Sequence, residues 1–132
     1  MSIFFKTIWN KKGWRAMKIK IYETLQNIFR KCRNNKENSI DYQNAKMILK
    51  NDKNCILLDV RSPQEYKEGH LDGSINIPLY NIEKDISNII PQKENTIIVY
   101  CQSGGRSKKA LEILEKEGYT NLYNIEGGLD NI

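Results

Sequence analysis

The chain has 132 residues, 39% of them hydrophobic, and a formal net charge of +5: enough for one domain of roughly 100 residues plus an extension, and too little for two domains. Its longest uncharged stretch, residues 95–105, falls well short of the ~20 apolar residues that span a bilayer, so no transmembrane helix is expected and a soluble protein is. Three cysteines without CxxC spacing and a single histidine argue against a disulfide framework and against a metal site, and point to a reducing compartment, read here as the cytoplasm.

Charge is unevenly spread. Residues 1–40 hold ten Lys and Arg against Glu23 and Glu37, whereas residues 41–132 are net acidic by three. A basic segment beside an acidic one suggests an arm that meets an anionic surface. Residues 3–9 mix aromatic and basic side chains in the manner of segments that settle at a headgroup boundary, and they carry too many lysines to read as a secretory leader. Over 17–32, Met17, Ile21, Tyr22, Leu25, Ile28, Phe29 and Cys32 recur at helical spacing with polar residues opposite, which predicts a basic amphipathic helix. Its apolar face would pack on the following domain or on a second copy, or lie on a membrane; nothing resembles a nucleic-acid recognition motif. The polar run 34–38 marks a boundary, giving an extension over 1–36 and a domain over 37–132.

In that domain, Ser39 or Asp41 caps a helix running to about Lys50, with Ala45, Ile48 and Leu49 turned inward. A strand is expected over 55–59, a short helix from Pro63, a strand over 74–77, and a helix over 80–89 with Ile82, Ile86 and Ile89 inward and Pro91 behind it. Then come a strand over 96–100, a helix over 107–117 ended by Gly118, and a strand over 121–124. The alternation predicts an α/β fold with a parallel sheet flanked by helices on both faces. Ligands of such sheets sit beyond the carboxyl ends of the strands, where Cys101, Asp59 and Arg61 fall.

Cys101-Gln102-Ser103-Gly104-Gly105-Arg106 directly follows the apolar run 96–100 and precedes a helix. The glycines free the loop to turn its N–H groups inward, toward a sulfur or an anion. The helix N-terminus and the Arg106 guanidinium add positive potential, so a thiol of ordinary pKa about 8.5 can fall to about 3.5–7.5. Cys101 is therefore the expected nucleophile. Arginine opposes the helix dipole at that end, and an anionic substrate gives it a reason to be there.

Two further runs, Leu57-Leu58-Asp59-Val60-Arg61-Ser62-Pro63-Gln64-Glu65-Tyr66 and Gly69-His70-Leu71-Asp72-Gly73-Ser74-Ile75-Asn76-Ile77-Pro78, complete a pattern that resembles the single-domain rhodaneses from about residue 39 to the C-terminus. The resemblance implies a sulfurtransferase fold in which Cys101 takes a sulfane sulfur from thiosulfate or a persulfide, holds it as a persulfide and passes it to a thiol or other thiophilic acceptor. Gln102, Ser103, Gly104, Gly105 and Arg106 would bind the donor, with Asp59 and Arg61 either contacting it or bracing the loop. No cofactor is implied. Cysteine-loop phosphatases, including those that share this fold, carry one residue more between cysteine and arginine; the tighter ring here suits a terminal sulfur. The alternative is a carrier or binding module that meets a protein partner or a membrane surface.

Other residues receive plainer expectations. Glu65 is close enough in sequence to pair with Arg61. Ser107 caps the helix or gives its hydroxyl to the sulfur, with capping preferred. In the family pattern His70 steadies the fold beside a glycine turn, and Cys55 is a core residue. Many rhodaneses place a tryptophan after the closing glycine pair, whereas here Gly127-Gly128 leads to Leu129. The amphipathic helix is expected to cover the apolar surface this leaves, so that removing residues 1–36 lowers the melting temperature.

Overall fold

The computed structural model describes residues 17–23 and 38–132. The segment 3–9, most of the expected helix 17–32 including Cys32, and the linker up to residue 37 lie outside the described residues. The chain divides into two units, Met1–Asn34 and Asn35–Ile132. Of the first, residues 17–23 are helical.

The second unit opens on β1, Ser39–Ile40, which leads into α1, Tyr42–Asn51, where the Asp41 carboxylate accepts the Asn44 N–H at 2.7 Å. Asp41 is thus the cap, and Ser39 is spent on a strand too short to show any alternation of its own. β2, Ile56–Asp59, begins one residue after the half-buried Cys55. α2, Pro63–Glu68, starts with proline in its first turn and a full capping box, the Ser62 hydroxyl accepting from the Glu65 N–H while the Glu65 carboxylate accepts from the Ser62 N–H. β3 is Ile75–Asn76.

The helix expected over 80–89 is shorter: a 3-10 turn, Leu79–Asn81, precedes α3, Ile82–Ile89. Ile82 and Ile86 are buried as expected, but Ile89 is 49% exposed and Ile90 is the core residue. Ile90 has left the helix for an extended backbone, which swings its side chain inward. β4, Thr96–Tyr100, is followed by α4, Gly105–Lys116, which starts two residues earlier than expected and so takes Arg106 into its first turn. β5, Asn121–Ile125, and a 3-10 turn, Gly128–Asn131, complete the unit.

The five strands are all parallel, in the order β1-β5-β4-β2-β3. β4 is central, and Ile97, Ile98, Val99 and Tyr100 are fully buried. Alternate residues therefore feed two cores. Ile97 and Val99 pack with Ile82, Ile86, Ala110 and Leu114 of α3 and α4, while Ile98 and Tyr100 pack with Ala45 of α1, Leu57 and Ile125. With each buried Ile or Leu contributing about 1.5–3 kcal/mol, the centre of the sheet is the firmest platform this chain has. Cys101 is the residue that follows it.

Candidate active site

Cys101 is 1% exposed, and its Sγ accepts the Gly104 N–H at 3.0 Å. Gly104 reaches that position with φ +103, a backbone that side-chain-bearing residues rarely adopt. As a thiol, Cys101 donates toward the Ser107 hydroxyl at 3.5 Å, and that hydroxyl donates to the Gly104 carbonyl at 3.0 Å. Ser107 is fully buried. It is not the helix cap, because Gly104 occupies that position; it sits against the sulfur instead. Burial pushes the Cys101 thiol up, but the Ser107 hydroxyl and the N–H groups of Ser107, Gly104 and Ser103 outweigh it and hold the pKa below the ordinary thiol value. Cys55 shows what happens without such donors: burial and the nearby Asp52 carboxylate push it up to about 11.

The loop is shaped from behind by the C-terminal turn. The N–H groups of Leu129 and Asp130 donate to the carbonyls of Cys101 and Gln102 at 3.0 and 2.9 Å, and Gln102 Nε2 donates to the Asp130 carboxylate at 2.7 Å. With its carbonyls turned outward in this way, the loop presents N–H groups to the sulfur. The closing glycine pair has a reason here: a Cβ on Gly128 would collide with the Cys101 carbonyl oxygen and lie 2.7 Å from that of Gln102. Of the other loop residues named from the sequence, Ser103 and Gly105 are exposed, Gly104 is buried and Arg106 is partly exposed.

Asp59 and Arg61 form a buried pair at the end of β2. Arg61 Nη2 donates to Asp59 Oδ2 at 2.8 Å and to the Gly69 carbonyl at 2.6 Å, Nε spans both carboxylate oxygens at 3.1 Å, and the Arg61 N–H donates to Oδ1 at 2.9 Å. Asp59 is wholly buried and Arg61 is 4% exposed. Their bonds tie the end of β2 to the turn at Gly69.

Glu65 does not pair with Arg61. Its Oε2 and Oε1 accept from Arg106 Nη1 and Nη2 at 2.7 and 2.9 Å, while the Nε and Nη2 of Arg61 are taken by Asp59 and Gly69. Arg106 and then the Ser62 N–H hold the Glu65 carboxyl down to about 2. A carboxyl depressed in the folded state stabilises it fully above the ordinary value of 4.5, and that effect is lost progressively as pH falls from there through about 2. His70 stacks on Tyr66 with ring centroids 3.7 Å apart, its Nδ1 2.8 Å from the Tyr66 carbonyl, consistent with steadying the turn. Among the described residues no cluster of His, Cys, Asp and Glu is placed to hold a metal, and no helix is long and apolar enough to cross a membrane.

Sequence and fold comparisons place the chain among known proteins. Residues 42–132 match the family model described as rhodanese-like domain. The chain is 44% identical over 75 residues to the thiosulfate sulfurtransferase PspE of Escherichia coli, covering 57% of this chain and 71% of that one. It is 37% identical over 81 residues to the tRNA uridine(34) hydroxylase of Buchnera aphidicola, where the match takes in 58% of this chain but only 26% of the relative. Among solved structures, a rhodanese with anions from E. coli superposes with a TM-score of 0.54 at 41% identity, over 59% of this chain and 91% of that one.

Proposed function

We propose, because this chain belongs to the rhodanese-like domain family, that it is a sulfurtransferase carrying a sulfane sulfur from thiosulfate or a persulfide, through a persulfide on Cys101, to a thiophilic acceptor. The observation that carries the reading is the Cys101 sulfur itself, buried at the end of β4 and met by the Gly104 N–H and the Ser107 hydroxyl. These groups favour thiolate over thiol, so no separate base is needed and the absence of histidine from the loop is no obstacle.

In the first half-reaction the Cys101 thiolate attacks the outer sulfur of thiosulfate. A bond forms between Sγ and that sulfur, the sulfur–sulfur bond of thiosulfate breaks, and sulfite leaves with the electron pair. The terminal sulfur of the resulting persulfide keeps the negative charge, and the inward N–H groups of the loop receive it. Arg106, whose side chain is 39% exposed, supplies its remaining N–H donors to the oxyanion end of the donor. In the second half-reaction an acceptor thiolate, or cyanide in an assay, attacks the terminal sulfur and regenerates the Cys101 thiolate as a new persulfide or thiocyanate departs. The family and the relatives' names support the chemistry; donor, acceptor and a cytoplasmic setting are part of the proposal.

The test is thiosulfate-dependent thiocyanate formation, with the mass of the Cys101 peptide measured in the same sample. Turnover accompanied by one added sulfur on Cys101 is expected, and Cys101→Ser should remove both. A Cys101→Ser protein that still forms thiocyanate at the wild-type rate would end the proposal. Wild-type protein that neither turns over nor takes up sulfur from thiosulfate would favour a module loaded by a partner protein.

A further inference from the structure

Arg106 is not a lone cation at the edge of the loop. Its two terminal nitrogens are held end-on by Glu65 at 2.7 and 2.9 Å, across 41 positions of sequence. Glu65 is itself fixed before it reaches Arg106, since its Oε2 also accepts from the Ser62 N–H at 2.9 Å and the Ser62 hydroxyl at 3.1 Å. The carboxylate therefore pays little of the entropy that makes most half-exposed ion pairs weak. The guanidinium stands in the first turn of α4, where the helix dipole repels it. Without Glu65 it has reason to swing toward solvent.

We infer that Glu65 is a positioning residue that holds the Arg106 guanidinium at the mouth of the Cys101 loop and thereby sets the affinity of the site for small sulfur oxyanions. The identity of the donor rests on the sulfurtransferase reading above; the positioning role does not. The pair is neutral as a whole, so the attraction for an anion comes from aligned N–H groups rather than from net charge. This gives the inference a sign. Removing the carboxylate makes the site more positive, and long-range electrostatics alone would then tighten anion binding; loss of positioning weakens it.

The experiment follows alkylation of Cys101 by iodoacetamide in the full chain, and its protection by inorganic sulfate at constant ionic strength, beside thiosulfate kinetics. Glu65→Gln is expected to weaken sulfate protection about fivefold, the size of one charge-assisted hydrogen bond at a half-exposed site, and to raise the thiosulfate KM equally with kcat within about twofold. In an Arg106→Ala background Glu65→Gln should add nothing. Ser62→Ala, which keeps the carboxylate, the Ser62 N–H and both Arg106 bonds, should protect like wild type. Tighter or unchanged protection in Glu65→Gln overturns the inference. So does an effect that persists without Arg106, an equal effect from Ser62→Ala, or the absence of sulfate protection in the wild type. The expected sulfate pattern in a chain that turns over no thiosulfate would instead overturn the donor and leave Glu65 in its role.

Discussion

Ser107 shows how much of a thiol's acidity one buried hydroxyl can carry. It lies 3.5 Å from Cys101 Sγ, accepting from the thiol while its own proton goes to the Gly104 carbonyl, and on ionisation of the sulfur that single proton turns to the thiolate. Ser107→Ala removes the only side-chain hydroxyl recorded on the sulfur among the described residues and leaves the Gly104 N–H. A hydrogen bond to a charged group is worth about 1.5–3 kcal/mol, so alkylation of Cys101 near neutral pH should slow by about tenfold or more, with the alkylation midpoint moving to higher pH. Stopped-flow alkylation against pH checks this; an unmoved midpoint would mean that the backbone donors suffice. Cys101 and Arg106 were legible in the sequence because a strand, a glycine loop and a helix start are local patterns. The partner of Glu65 is not legible for the opposite reason: the nearest arginine along the chain is Arg61, whereas the fold sends Glu65 to Arg106 and gives Arg61 to Asp59 and Gly69. For Ser107 the sequence offers the helix cap or the sulfur, and the fold takes the second, less favoured one.

Among elements, the C-terminal turn is the part whose purpose only tertiary structure reveals. Gly127 and Gly128 could be read as a turn, and both have positive φ, but nothing local says that Leu129 and Asp130 donate to the loop carbonyls of Cys101 and Gln102. Gly128→Ala places a methyl against those carbonyls in a backbone that disfavours it. A cost of about 1–3 kcal/mol is expected, seen as a melting temperature lower by roughly 5–15 °C, with sulfur transfer reduced further because the N–H groups no longer converge. Melting by circular dichroism beside thiosulfate kinetics separates the two effects; wild-type values in both would show that the turn does not shape the loop. β1 escaped the sequence reading on similar grounds. Two residues cannot display a period, and Ser39 and Ile40 become strand only because Asn124 and Ile125 offer them a parallel edge.

For the whole molecule, the parallel sheet with a core on each face followed from alternation of apolar runs with helical ones, since a central strand apolar on both faces has to lie between helices; the order β1-β5-β4-β2-β3 is set by tertiary pairing and is not written in that alternation. The charge asymmetry was equally visible: the net-acidic part of the chain carries the site, and residues 1–40 hold the net positive charge. Every residue placed at the site lies between Asp59 and Asp130. A protein lacking residues 1–36 should therefore keep its thiosulfate KM within about twofold at moderate salt, which damps long-range attraction. Steady-state kinetics of that variant would decide it, and a large rise in KM would mean that the basic segment helps gather the donor.

The clasp of the C-terminal turn on the loop has a consequence beyond catalysis. The donors that lower the Cys101 pKa, on Ser103, Gly104 and Ser107, are close along the chain, but their loop is backed by the N–H groups of Leu129 and Asp130, which reach it only when β5 is seated and the segment beyond it has docked. An unfolded chain carries an ordinary sulfhydryl of pKa about 8.5. The raised acidity of Cys101 is therefore a property of the seated loop, and the pH midpoint at which the sulfur meets an electrophile becomes a gauge of whether that loop is formed.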